Sequence, residues 1–324
     1  MAIAKNHSYT GNKIREDFHD VIYDISPTDT PLLTMAKRLK AKNTLHQWTH
    51  DKLTAPAANA ALEGNDFSIT ARAQPVTLGN YCQILVKTAS VSGTFEAVDK
   101  VGRQSEMARQ VARMSKEIKR DLEYALVRNQ ASENGSAATA RTSAGLESWI
   151  ATASVNGNGV KATGSSGGTT VGYSGGTVAA PAATVTAKAF GEADLKTALG
   201  LAWAQGGEPS VIMMSSTNKA KFSAFTGVAT RMNDVRGATQ ANIISAADVY
   251  VSDFGVHKAV LNRYMRNEAV LCIDPEYVGV AFLRGFQTKD IPAARDGTEK
   301  AVLCEATLVV QNPLAHAKVC NTGG

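Results

Sequence analysis

At 324 residues the chain is long enough for about two domain-sized units with ample core. Its 34 basic and 29 acidic residues leave a formal charge of +5, too slight for a dedicated nucleic-acid binder, which usually carries a strongly basic face. Cys82, Cys272, Cys304 and Cys320 form no CxxC pair, the start MAIAKNHSYTG has no apolar signal core, and no run of 18 apolar residues occurs, so free thiols and a soluble protein made inside the cell, with no membrane span, are expected.

In chain order, residues 1–42 read as small helices joined by turns. Ile14, Phe18, Val21, Ile22 and Ile25 draw an apolar face on the first; SPTDTP breaks it, and Thr30 with Pro31 reads as the N-cap and first residue of a second helix, LLTMAKRL. Two such helices are too short to fold alone and must dock on something else. The densest basic patch, KRLKAK (Lys37, Arg38, Lys40, Lys42), reads as a solvated helix end, with nucleic-acid contact as the alternative.

NTLHQWTHDKL (43–53) and NYCQILVKTASVS (80–92) read as strands rich in β-branched and aromatic residues. The residues between them, 54–79, alternate weakly through Phe67, Ile69 and Ala71. A loop of that length is uncommon in a compact domain, and its small, mostly uncharged residues cannot build a core. The pattern predicts a long β-hairpin arm that reaches away from the body and is buried by a neighbour.

Next comes EMARQVARMSKEIKRDLEYALV (106–127), free of glycine and proline. Met107, Val111, Met114, Ile118, Leu122, Ala125 and Leu126 fall at steps of three and four and draw one helical stripe. Thr94 reads as the N-cap, Glu96 as first-turn acid, and Arg113–Glu117 and Lys119–Glu123 as i,i+4 pairs on the wet side. From Phe95 to about Asn129 the pattern predicts one rod of about 50 Å. Arg109, Arg113 and Arg120 lie off the stripe and should be exposed.

After AGLESWI (144–150) a glycine- and serine-rich run, about 154–187, reads as a surface loop dispensable for folding. FGEADLKTALGLAWAQ follows as a helix with Leu195, Leu199 and Trp203 on one face, then PSVIMMS as a buried strand and STNKAKFSAF as a helix capped near Ser216. ADVYVSDFG and VHKAVLNRY read as a hairpin turning near Gly255. AVLCIDP, VGVAFLRGF and AVLCEATLVVQNP are strands, and AHAKVC ends the chain.

No catalytic constellation emerges. Gly164–Gly168 and Gly172–Gly176 match GxSxG formally, but neither has the strand before and helix after that a nucleophile elbow needs. Gly157-Asn158-Gly159 lacks the third glycine of a dinucleotide fingerprint, and no P-loop is present. His46 and His50 on a strand would lie about 13 Å apart, too far for one ion. Glu16, Asp17, His19 and Asp20 read as the polar face of the first helix rather than a metal cluster. Asp253 and His257 flank a turn with no convincingly placed serine. No cofactor, metal or catalytic residue is expected.

The order of elements, together with IREDFHDVIYDISPTDTPLLTMAKR, the Trp48 strand with THDKLTAPAANAALEGND, AGLESWI, DVYVSDFGVHKAVLNRYM and ATLVVQNPLAHAKV, resembles the major capsid proteins of tailed bacteriophages with the HK97-type α+β fold. The resemblance spans nearly the whole chain; residues 154–187 read as an insertion. It implies an N-terminal arm (1–42), an extended E-loop hairpin (43–92), a peripheral domain with a spine helix (93–143), an axial α/β domain (144–275) and strands returning to both (276–324).

On that resemblance the function is a shell of hexamers and pentamers around packaged double-stranded DNA, located in the virion and made in the host bacterial cytoplasm, with portal and decoration proteins as partners and no enzymatic role. The arm motif begins by about Arg15, which leaves no room for a fused scaffolding segment and implies a separate scaffolding protein. Some relatives cross-link lysine to asparagine; the arm offers Lys52, but no partner is identifiable and no cross-link is expected. The inter-subunit arm residues implied are Trp48, Lys52, Leu62, Phe67 and Ile69. Met107, Val111, Met114, Ile118 and Leu122 pack the spine, and Lys37, Arg38, Lys40, Arg109, Arg113 and Arg120 are candidates to face DNA. Two other classes stay open: a hydrolase or nucleotide-binding α/β enzyme built on 188–275 with the hairpin as lid, and a basic nucleic-acid binder using KRLKAK.

Overall fold

A computed structural model describes residues 28–54, 56–64, 66, 69, 71–72, 74–99, 104–155, 157–167, 171–174, 177–179, 185–225, 248–292 and 296–323. The predicted first helix, its acidic group Glu16, Asp17, His19 and Asp20, and Phe67 of the arm lie outside these residues.

Thr30 and Pro31 do open a helix, α1 (Pro31–Met35), but it stops after five residues because Ala36 turns extended. The chain continues as strand β1 (Lys37–Lys40), parallel to a strand of the C-terminal region. KRLKAK is therefore not a helix end: Lys37, Arg38 and Lys40 are exposed along an edge strand, where backbone pairing to Gly279–Phe282 overrides helix propensity.

Strand β2 (Leu45–His50) pairs antiparallel with β3 (Val76–Tyr81), and together they form the root of the arm. The single strand expected over 80–92 is two. The chain breaks at Cys82, and β4 (Gln83–Val91) leaves the hairpin to join a different sheet. Residues 51–75 form no strand among the described residues and turn at Glu63–Gly64, where Gly64 adopts φ +77°.

The predicted continuous rod is also divided. A short helix α2 (Gly93–Ala97) is capped by Ser92, not Thr94, and the long helix α3 (Glu106–Val127) starts anew at Ser105, whose hydroxyl accepts from Ala108 N–H. At 22 residues α3 is about 33 Å long. Its stripe is buried: Met107, Met114, Ile118 and Leu122 are enclosed and Val111 partly so, with Val111, Met114 and Ile118 clustered with Leu85 and Ala89 of β4, and Leu122 in the main core. Lys119–Glu123 is not a surface pair, because Glu123 is fully buried.

After α4 (Leu146–Trp149), every residue of which is buried, come β5 (Gly159–Lys161), β6 (Ser166–Gly167), β7 (Tyr173–Ser174), β8 (Thr177–Val178) and β9 (Val185–Thr186). The glycine-rich run is thus not a detached loop. β5 is an edge strand of a six-stranded sheet, and Ala162 and Val178 are 1% exposed. Helix α5 (Glu192–Ala204) buries Leu195 and Leu199 as expected, but Trp203, one turn further along the same stripe, is 60% exposed rather than buried with them. The remaining elements are β10 (Val211–Met214), α6 (Ser216–Ser223), β11 (Val249–Ser252), β12 (Gly255–Leu261), β13 (Ala269–Ile273), β14 (Val278–Ile291), β15 (Thr298–Val310) and β16 (Ala317–Cys320).

Two main sheets result, ordered β1–β14–β15–β4 and β11–β12–β10–β13–β16–β5. β13 is buried on both faces and reads as an unbroken apolar run for that reason. On one face Leu199 of α5 and Phe222 of α6 share a core with its Val270 and Cys272; on the other, its Leu271 and Ile273 join Leu32, Leu122, Leu126, Trp149 and Leu308 in a core that α1, α3, α4 and β15 share.

The arm root and candidate assembly surface

Beyond its root the arm presents apolar side chains to solvent: Leu53 is 91% exposed, Leu62 81% and Ile69 100%. Burying such groups against a partner stabilises by about 25 cal/mol per Å² of apolar surface. The root itself is anchored inward. Trp48 Nε1 donates to the Val310 carbonyl at 3.0 Å, and its ring lies 5.4 Å from Trp149. Asn80, wholly buried, donates to the Leu308 and Ala144 carbonyls at 2.8 and 3.2 Å and accepts from Ala144 N–H at 2.9 Å. Of the arm residues read from the sequence, Trp48 therefore serves its own chain. Lys52 donates to Gln205 Oε1 at 2.6 Å, and Leu62 and Ile69 are free of the body.

The spine helix is locked by a carboxylate. Glu123 accepts from Leu32 and Leu33 N–H at 2.9 and 2.8 Å and from Asn262 Nδ2 at 2.6 Å. Burial pushes its pKa up, and the same three hydrogen bonds pull it back. Of the arginines expected to be exposed, only Arg113 is so, 3.9 Å from Glu117. Arg109 is half-buried, folded back on Glu106 of the same helix at 3.1 Å, and Arg120 is half-buried over the ring of Tyr264, from the segment after β12, at 5.9 Å.

The chemistry search gives structural roles. Ser166 and Ser174 are exposed on two-residue strands, without an elbow. Asn158 donates to the Leu314 and His316 carbonyls. One expectation needs correcting: a serine does face His257, Ser252 Oγ lying 2.7 Å from Nε2. The other ring nitrogen bonds the Pro209 carbonyl rather than a carboxylate, and Ser252 Oγ itself accepts from Phe254 N–H, so the pair closes the β11–β12 turn. Burial lowers the pKa of His257. Among the described residues no group of three or more His, Cys, Asp or Glu could hold a metal ion, and no helix is long and apolar enough to cross a membrane.

The two-sheet body with its long spine helix and an arm that the body does not bury recurs in solved structures of capsid chains. A capsid chain of a native GTA particle superposes with a TM-score of 0.63 at 15% identity, covering 98% of both chains. A chain from Mycobacterium phage Bobi gives 0.60 at 12% identity, covering 96% of each. These likenesses define an HK97-type fold.

The family model described as SU10 major capsid protein matches residues 3–323. The chain belongs to that family, and with it to the major capsid proteins of tailed phages. The major capsid protein of Escherichia phage Phieco32 is 34% identical over 125 residues; the match covers 38% of this chain and spans 36% of that protein's length.

Proposed function

We propose that the chain assembles as hexamers and pentamers into an icosahedral shell enclosing packaged double-stranded DNA, with residues 51–75 laid across the adjacent subunit. The observation that carries this is the arm: Leu53, Leu62 and Ile69 stand exposed on a segment with no core of its own, at the end of a rigidly anchored root. Shell closure needs each subunit to offer such a surface to a copy of itself. Leu62, Ile69 and Phe67 are the contacts, and Lys52 lies at the boundary between arm and body.

In this reading residues 1–42 are the N-terminal arm, the four-stranded sheet with α3 is the peripheral domain, and the six-stranded sheet with α5 and α6 is the axial domain. Lys37, Arg38, Lys40, Arg109, Arg113 and Arg120 face the DNA, offsetting phosphate charge in a salt-dependent way. Scaffolding, portal and decoration proteins are separate partners. The protein is made in the bacterial cytoplasm and ends in the virion.

The test is deletion of residues 56–74. The shortened protein should stay soluble and folded, as monomers or capsomers, and fail to close into shells in electron micrographs. Normal shells from it would overturn the assignment.

A further inference from the structure

We infer that Tyr173 is a positioning residue that sets the direction in which the arm leaves the body, and that the glycine-rich segment is its mount; the inference rests on the arm being the inter-subunit element. A two-stranded ribbon such as β2–β3 is marginal by itself, so its orientation comes from what grips it. Asn80 and Trp48 grip it at the rungs His46–Asn80 and Trp48–Leu78. The next rung outward, Thr49–Thr77, is held by Tyr173, whose hydroxyl donates to the Thr77 carbonyl. One rung remains before the ribbon ends at His50–Val76. Further out, the Lys52–Gln205 bond joins two exposed, rotamer-rich side chains and sets no direction.

Tyr173 is itself fixed. Its ring lies parallel to Trp149 at 5.8 Å, and Trp149 is 1% exposed and in contact with Trp48. Across the β7–β8 pair from Tyr173, Val178 is buried in the main core. Val178 and Ser132 exchange two hydrogen bonds: Val178 N–H donates to Ser132 Oγ at 2.8 Å, and Ser132 N–H donates to the Val178 carbonyl at 2.9 Å. Gly172 brings the chain in at φ +64°, where a Cβ would meet Ala151 Cβ at 3.0 Å and the Trp149 carbonyl at 3.1 Å.

Leverage makes this last grip matter. The outgoing limb, residues 51–62, spans up to about 40 Å at ~3.3 Å per residue, so a rotation of about 10° at the root moves the tip by about 7 Å. That exceeds the ~4.5 Å over which an apolar contact survives. Subunits whose arms leave at varied angles would join at varied curvature.

The experiment uses the full chain with Tyr173→Phe, which removes only the hydrogen bond, and Tyr173→Ala, which removes the stack as well. Ile118→Ala serves as a destabilised control remote from the arm. In unassembled protein, amide exchange over 76–81 should rise about five-fold in Tyr173→Phe and further in Tyr173→Ala, with exchange in α3 unchanged. Both variants should give open sheets or shells of mixed diameter, while Ile118→Ala gives fewer shells of wild-type diameter. Unchanged exchange at 76–81, or uniform shells of wild-type diameter from Tyr173→Phe and whichever alanine variant folds, would overturn the inference. The 56–74 deletion separates the two readings: if it blocks closure while both Tyr173 variants assemble normally, the mount alone fails, and if it closes normal shells the arm itself does.

Discussion

Glu123 sits in the last turns of the spine helix with its carboxylate 2.9 Å from the backbone nitrogen of Leu32, ninety-one residues earlier in the chain. The other oxygen takes Leu33 N–H, so one buried side chain satisfies two of the orphan donors at the start of α1 and fastens the N-terminal region to the helix. Glu123→Ala leaves both backbone donors unpaired in the core and leaves Asn262 Nδ2 only the Met213 sulfur, 3.3 Å away. At about 1–3 kcal/mol per orphaned buried group, the loss should be about 3 kcal/mol or more in denaturant unfolding. Glu123→Gln should lose less, since its amide oxygen still accepts. An alanine variant within about 1 kcal/mol of wild type would mean that α1 docks by its leucines alone.

The stripe of α3 should matter more than its charges. Ile118 is fully buried against Met114, Val302 and Cys304, and its truncation to alanine should cost about 2–5 kcal/mol. Arg113, half-exposed and 3.9 Å from Glu117, should tolerate glutamine within about 0.5 kcal/mol and still form empty shells. Paired melting curves and shell yields check both; the reverse ranking would mean that the buried face is assigned backwards.

Acid should weaken the fold through His316. The ring is fully buried, Nδ1 accepts from Asp274 N–H at 3.1 Å, and burial lowers the pKa from 6.5 to about 4. The unfolded chain therefore binds this proton first, so the stability is present above about pH 6.5 and is lost as pH falls towards 4. Between pH 8 and 5 the loss from this group is about 2 kcal/mol. His316→Asn keeps an acceptor for Asp274 but does not titrate, so its stability should fall by that much less over the same range. Parallel pH dependence in both proteins would exclude His316 as the source.

The four thiols should be silent in the folded protein. Cys82, Cys272, Cys304 and Cys320 are free and buried, and burial pushes Cys82 up to about 11 and both Cys272 and Cys304 up to about 12. A thiolate-specific reagent at pH 8 should find none of them until denaturant is added, and then all four. Rapid modification of one thiol under native conditions would reveal local opening of its sheet.

What the chain determines locally was legible in its order of residues. The α3 stripe from Met107 to Leu122 could be read because helix periodicity depends only on near neighbours, and the unbroken apolar run of β13 because a strand covered on both faces needs nothing else. The arm was legible by what its residues lack. Tertiary structure decided the rest. Glu123 looks like any solvated partner of Lys119 until Leu32, Leu33 and Asn262, the last 139 residues away, close around it. Lys37–Lys40 carries helix-forming residues, yet β14 offers a free edge and takes it as a strand. Trp203 keeps the helical spacing of Leu195 and Leu199 but stays 60% exposed outside their core cluster, its ring 6.0 Å from Phe254. Tyr173 and Val178 are lost in glycine and serine, because composition averages away two side chains whose partners, Trp149, Thr77 and Ser132, come from other elements. Periodicity reports which face is apolar; only packing says which polar groups the core encloses and which apolar ones it leaves for a neighbour.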